Sequence, residues 1–323
     1  MEHVVVPPER AGLELDEFLC LLFPECAKGF LRRQIRDERV LLDGQPAKPS
    51  VSLRTNQVLS LSFDPEEAPP PPPPSAKLPE VLYEDEDVLA IAKEPGIAVE
   101  SERWFPDRPT VAASLLAWAE AQAGRGVFRP RLAHRIDKDT SGVLLAAKHL
   151  EAERALRMAF EQRRVQKSYF ALVEGEFPDD VVRIEHPLGP DRRQSGRTIV
   201  SSEGKEARTD VRLERAFRGY SLVEARPHTG RTHQIRVHLA AEGFPLAVDP
   251  MYGRRKALRL SEIKADYRSK PGREERPLIG RLTLHARSIA LGPDVLGRAI
   301  EVEAPLPKDF ERVLKQLAKV RSI

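Results

Sequence analysis

His134-Arg135-Ile136-Asp137-Lys138-Asp139-Thr140-Ser141-Gly142 is followed directly by Val143-Leu144-Leu145-Ala146-Ala147. A turn this dense in acids, bases and hydroxyls, feeding an apolar run, sets reactive side chains at the rim of a core. Further strand-like runs lie on either side of it: Val88 to Ala92, Ser168 to Val173, Ala207 to Leu213, Ser221 to Ala225, Leu282 to Leu291 and Ile300 to Ala304. Helices are expected at Ala112 to Gln122, Glu151 to Gln162 and Gln234 to Ala241, with Gly124 and Gly243 as stops. Strand runs broken by a few helices predict an α+β fold on a mixed, largely antiparallel sheet.

The chain has 323 residues, enough for two domains, each able to bury a core. Lys+Arg number 52 against 49 Asp+Glu, so only local clustering of charge can mark a nucleic-acid surface. Cys20 and Cys26 read as reduced thiols in or near a core. Met1 to Glu9 carries no apolar signal region, and no stretch approaches a membrane span. A cytoplasmic monomer is expected. Pro69 to Pro74 form an unbroken run that must be extended, which predicts a spacer over 65–79 between modules at 1–64 and 80–323.

The small module reads helix, helix, hairpin. Leu15, Phe18, Leu19 and Leu22 form one helical stripe, and Phe30, Leu31 and Ile35 form a second. Lys28, Arg32, Arg33 and Arg36 stand on the other side of that second helix. Val40-Leu41-Leu42 runs into Asp43-Gly44, a two-residue hairpin signal, and Val58 to Leu61 closes the pattern. From Arg10 to Phe63 this order resembles the alpha-L RNA-binding motif of some ribosomal proteins and tyrosyl-tRNA synthetases. Ala27 and Lys28 stand where that motif often has a serine. The resemblance implies RNA binding through the basic face.

The large module carries a second resemblance. His134 to Gly142 is similar to the HRLDxxTSG signature of RluA-like pseudouridine synthases. Lys167-Ser168-Tyr169-Phe170-Ala171-Leu172-Val173 resembles their second motif. Thr229-Gly230-Arg231-Thr232-His233-Gln234-Ile235-Arg236-Val237-His238 resembles their third. Tyr83 to Glu86, Gly243 to Leu246, Asp249-Pro250-Met251-Tyr252-Gly253 and Leu284-His285-Ala286 extend the similarity over residues 80 to 310. Lys93-Glu94-Pro95-Gly96 and Ala247-Val248-Asp249 depart from the usual KPAG or KPSG and VGD.

What the resemblance implies is an RNA pseudouridine synthase with Asp137 as the catalytic carboxylate, Tyr169 lining the site and Arg236 contacting the aspartate. Arg231 is the second choice for that contact. Arg135 would fill the space left by a flipped base, against the alternative of a salt bridge to Asp139. Isomerising uridine involves no net redox change and no external group, so no cofactor is expected. His228, His233 and His238 recur every five residues without a completing cysteine or carboxylate, so no metal is expected. Arg254 to Arg276 is basic and breaks the strand pattern; it reads as a phosphate-gripping loop or a solvated insertion. Arg192, Arg193 and Arg197 extend the same surface. The expected partner is structured RNA, with large-subunit ribosomal RNA favoured and transfer RNA second. A non-catalytic RNA-binding factor and a base-releasing glycosidase are the competing classes.

Overall fold

Asp43 and Gly44 both adopt positive φ, 50° and 77°, as a type I′ hairpin demands. In the computed structural model, which describes residues 2–69, 79–100, 108–124, 128–268 and 274–323, this turn joins two strands of a small sheet. Contacts group the chain into two units: Met1–Pro79, Glu100–Arg131 and Ala147–Glu153 form one, and Glu80–Val99, Leu132–Ala146 and Arg154–Ile323 the other. The proline run beyond Pro69 lies outside the described residues.

The first unit contains β1 (Glu2–Val5), α1 (Leu15–Leu22), α2 (Lys28–Arg36), β2 (Val40–Leu42), β3 (Gln45–Pro46) and β4 (Val58–Leu61). Sheet order is β1-β4-β2-β3. Strand β1, an addition to the expected helix-helix-hairpin, pairs antiparallel with β4. Leu15, Phe18 and Leu19 of α1 and Leu31 and Ile35 of α2 are buried with Val40, Leu59 and Leu61. Phe23 and Phe30 meet Phe63 edge-on, at 5.3 and 6.0 Å between centroids. Cys20 and Cys26 are free thiols inside this core. Helix α3 (Val111–Ala123) belongs to the same unit and is capped by Thr110, whose Oγ1 accepts from the Ala113 amide.

The second unit is organised by a long sheet of β5 (Glu80–Glu84), β6 (Val88–Lys93), β8 (Ser141–Ala147), β9 (Val165–Glu174), β10 (Val182–Ile184), β13 (Thr209–Phe217), β14 (Tyr220–Pro227) and β15 (Leu284–Leu291). Their order is β10-β13-β14-β9-β15-β8-β6-β5; β7 (Arg131–Leu132) and β16 (Ile300–Glu303) pair off this path with β8 and β15. Strands β11 (Leu188–Pro190) and β12 (Thr198–Val200) make a separate ribbon. The helices are α4 (Leu150–Glu161), α5 (Gln234–Ala241), α6 (Leu260–Ile263), α7 (Pro293–Leu296) and α8 (Lys308–Val320). Antiparallel pairing dominates, with β8 and β15 parallel.

Period-two alternation gives the sheet two covered faces. Ala171, Val173, Val223 and Ala225 pack under Ile235 and Leu239 of α5. Leu172 and Leu222 pack on the other face with Phe310, Val313 and Leu317 of α8. Helix α8 is absent from the expected elements, although Phe310, Val313, Leu314 and Leu317 have helical period. The basic stretch after Arg254 is partly folded: Leu258 and Ile263 are buried, Leu258 bridges Ile279, and Arg255 pairs with Glu174 and Glu262. Residues 269–273 of it lie outside the described residues.

Every residue of β8 is buried, and the turn of Asp137 delivers the chain into it. Gly142, opposite Ala286 in the parallel pairing, has φ +119°, and a Cβ there would sit 2.1 Å from the Ala286 carbonyl oxygen. Backbone cannot yield as a side chain can. Gly142→Ala is therefore expected to destabilise by more than about 4 kcal/mol, or to prevent folding, as read by denaturant unfolding. A near-wild-type midpoint would contradict this close approach.

Candidate active site

Asp137 lies in the turn before β8, its carbonyl accepting from the Thr140 amide at 3.1 Å. Lys93, at the end of β6, holds this turn from below. Its ammonium donates to the carbonyls of Glu94, Ile97 and Lys138 at 2.7–2.9 Å. Three protons thus meet three acceptors, while burial depresses the Lys93 pKa to about 7. His134 anchors the other end: its Nε2 accepts from the Leu145 amide at 2.9 Å and its ring stacks on Phe160. It is structural, as the hydrogen bond requires a neutral imidazole.

Burial lowers the His134 pKa to about 3, against 6.5 for a free imidazole. Between those values the unfolded chain binds a proton that the folded chain refuses. The contribution is therefore full above pH 6.5 and lost as pH falls. His134→Gln, which keeps an acceptor, is expected to reduce the loss of unfolding free energy from pH 7 to 5 by about 2 kcal/mol. An unchanged pH slope would contradict this assignment.

The Thr229-to-His238 segment turns the chain from β14 into α5, and its polar letters lock one another. Gln234 Oε1 accepts from the Thr229 hydroxyl at 2.6 Å and the Arg231 amide at 3.0 Å. Its Nε2 donates to Arg208 O and Thr209 Oγ1, both at 2.9 Å. His238 Nε2 donates to His186 O at 3.0 Å, which leaves Nδ1 to accept from Thr209 at 2.9 Å. His233, at the helix N-cap with φ 56°, bonds Tyr252 through Nδ1 at 2.9 Å. A left-handed conformation at a non-glycine residue is held only by such surroundings. His228 pairs instead with Asp210, so these three histidines serve different partners.

This turn aims Arg236. Its Nη1 donates to Asp137 Oδ2 at 3.0 Å, while Nε and Nη2 grip Asp249 side-on at 2.8 and 2.9 Å. Asp249 is fully buried and also accepts from the Met251 and Tyr252 amides. The Arg236 guanidinium lies 5.0 Å from the Tyr252 ring centroid. Burial opposes the charge of Arg236, yet Asp249 and then Asp137 outweigh it, so its pKa is raised. Asp249 is held below the usual carboxylate range, burial being outweighed by Arg236. His233 Nε2 stands 4.0 Å from Asp137 Oδ2, and burial lowers its pKa, leaving it neutral at pH 7.

Asp137, Tyr169 and Arg236 line one cavity of about 570 Å³, within the range of small-ligand sites. Tyr169 projects from β9, packs on the α5-facing core, and has its phenol pKa raised by burial and then by Asp137. It is a neutral ring at physiological pH. Arg135 lines the mouth, exposed, with no hydrogen bond or ion pair to described residues; the alternative bridge to Asp139 does not form. Arg231 lines it too, its Nε on the Glu206 carbonyl, leaving Arg236 as the partner of Asp137. Arg192 pairs with Glu203, and Arg197 lies over Tyr252. In the first unit, Lys28 pairs with Asp16 and Glu17 and Arg32 with Asp16, whereas Arg33 and Arg36 are exposed.

Asp249, Tyr252 and His233 complete the site without having been expected there. Their signal was Asp249-Pro250-Met251-Tyr252-Gly253, a matched motif whose role becomes legible only when α5 brings Arg236 to it.

A carboxylate held by arginine beside a tyrosine ring in a cavity of this size can carry nucleophilic or electrostatic chemistry on a small ring. The sequence model of RNA pseudouridylate synthases matches residues 87–241. An uncharacterized RNA pseudouridine synthase of Chloroflexus aurantiacus is 38% identical over 97% of this chain and 93% of its own length. The ribosomal large subunit pseudouridine synthase D of Xanthomonas campestris is 34% identical over 98% and 92%. Human RNA pseudouridylate synthase domain containing 1 superposes with TM-score 0.54, at 28% identity over 73% of this chain and 86% of that one. The chain belongs to the RNA pseudouridine synthase family. It is an enzyme that isomerises uridine in RNA. No helix among the described residues is long and apolar enough to cross a membrane.

Proposed function

We propose that this enzyme converts uridines of large-subunit ribosomal RNA to pseudouridine, with Asp137 as the ionised catalytic carboxylate. The observation that carries this reading is the asymmetry of Asp137. Arg236 binds Oδ2, while Oδ1 makes no hydrogen bond to described residues and is free for substrate. Asp249, taking two donors of Arg236, leaves Nη1 as the one that faces Asp137. Orientation is thereby set before substrate arrives, when it contributes most.

The target uridine leaves its stack, at a cost of about a few kcal/mol, and enters the cavity against the Tyr169 ring. Arg135, uncommitted at the mouth, takes the vacated place. Tyr169 acts as a stacking face; with its pKa raised it is ill suited to remove the C5 proton. Residues 1–64 form an RNA-binding domain joined through 65–79 to a catalytic domain at 80–323. Its exposed Arg33 and Arg36 meet phosphate, and Lys28 and Arg32 contribute after balancing Asp16 and Glu17. The enzyme works as a cytoplasmic monomer without metal or cofactor.

Ribosomal RNA is preferred over transfer RNA because relatives matched over nearly the full chain carry ribosomal large-subunit names. Pseudouridine mapping of both RNA classes from cells lacking the protein tests this choice. Loss of specific large-subunit sites, restored by the wild-type gene, is expected. Loss confined to transfer RNA would transfer the substrate to that class.

A further inference from the structure

Lys167 stands two residues before Tyr169 on the same face of β9 and lines the same cavity. Among the described residues it makes no hydrogen bond and no ion pair. The buried cations differ: Lys93 meets three carbonyls, and Arg236 meets two carboxylates. Burial alone lowers the Lys167 pKa. Lys167 is half-buried, and a cation partly withdrawn from water without a partner costs stability, so its place in the cavity points to a partner that arrives with substrate.

The charge of the site indicates which partner. Asp137 and Asp249 face Arg236, and His233 is neutral, so this group carries one surplus negative charge. When the N1–C1′ bond breaks, its electron pair stays on N1 and spreads over O2 and O4 of the uracil, and C1′ is left electron-deficient. The surplus negative charge around Asp137 answers C1′, so the detached uracil anion is the group left without a counter-charge. The base turns, C5 bonds to C1′, the C5 proton is lost, and N1 takes up a proton. A cation beside Tyr169 supplies the missing counter-charge between cleavage and rebonding.

We propose that Lys167 is a further catalytic residue, its ammonium binding a uracil carbonyl oxygen and stabilising the detached base. The proposal rests on the reading that isomerisation takes place in the Asp137 cavity. The test compares full-length wild type, Lys167→Met, Lys167→Gln, Lys167→Arg and Asp137→Ala with a uridine-bearing RNA. Single-turnover rates, RNA affinity at several salt concentrations and thermal unfolding are measured. Lys167→Met and Lys167→Gln are expected to slow isomerisation by ~100-fold. Affinity should stay within about threefold, and the melting temperature should not fall. Lys167→Arg, which keeps the charge, should recover to within about tenfold of wild type.

An unchanged rate in both neutral variants overturns the proposal. So does weakened affinity with a salt slope reduced by about one and a normal saturated rate, which would make Lys167 a phosphate contact. Activity retained by Asp137→Ala would instead remove the cavity reading on which the proposal stands.

Discussion

Asp137→Ala is expected to abolish isomerisation, with a loss of about 10⁴-fold or more in single-turnover rate, while leaving the protein folded. The two effects separate because of where Asp137 sits. Its side chain is 25% exposed, and its ion-pair partner Arg236 keeps the side-on grip of buried Asp249 when it is removed. No buried charge is orphaned, so unfolding should shift by less than about 1 kcal/mol. Pseudouridine formation is read by nucleoside chromatography after digestion, and stability by denaturant unfolding. A variant that is dead because it is unfolded would contradict this placement.

Asp249→Ala is expected to do the reverse in one respect. It should destabilise by about 3–5 kcal/mol, because it strands the guanidinium of Arg236, only 7% exposed, with Nε and Nη2 unpaired. It should also lower the rate by about 10²-fold, since without the side-on grip Arg236 no longer holds Asp137 in one fixed orientation. Asp249→Asn, which retains one acceptor, should lie between. Equal stability of Asp249→Ala and wild type would show that the buried pair does not position Arg236.

Much of this was legible because the motifs are locally self-sufficient. Val143 to Ala147 reads as a buried strand from its apolar run alone, and Asp43-Gly44 announces its hairpin through the backbone it needs. Gln234 to Ala241 is bounded as expected by Gly243. Contacts across the sequence were not legible. Asp137 and Arg236 are 99 residues apart, and their meeting had to come from resemblance. Asp249 stood in a matched motif without a role until α5 placed Arg236 against it. Lys28 and Arg32 looked as free as Arg33 and Arg36, because nothing in a helix stripe reveals that Asp16 and Glu17 lie opposite. The stretch after Arg254 read as polar because two buried anchors, Leu258 and Ile263, are diluted among charges. Strand β1 and the β11–β12 ribbon are too short for periodicity to register.

Release of tritium from RNA labelled at uridine C5 tests the central claim most directly, since the C5 proton leaves only if the base is rejoined through that carbon. The wild type should release tritium to water with the strand intact, and Asp137→Ala should release none under the same conditions. Equal release by both proteins, or release accompanied by abasic sites and strand cleavage, would contradict the assignment of Asp137 as the carboxylate of an isomerase.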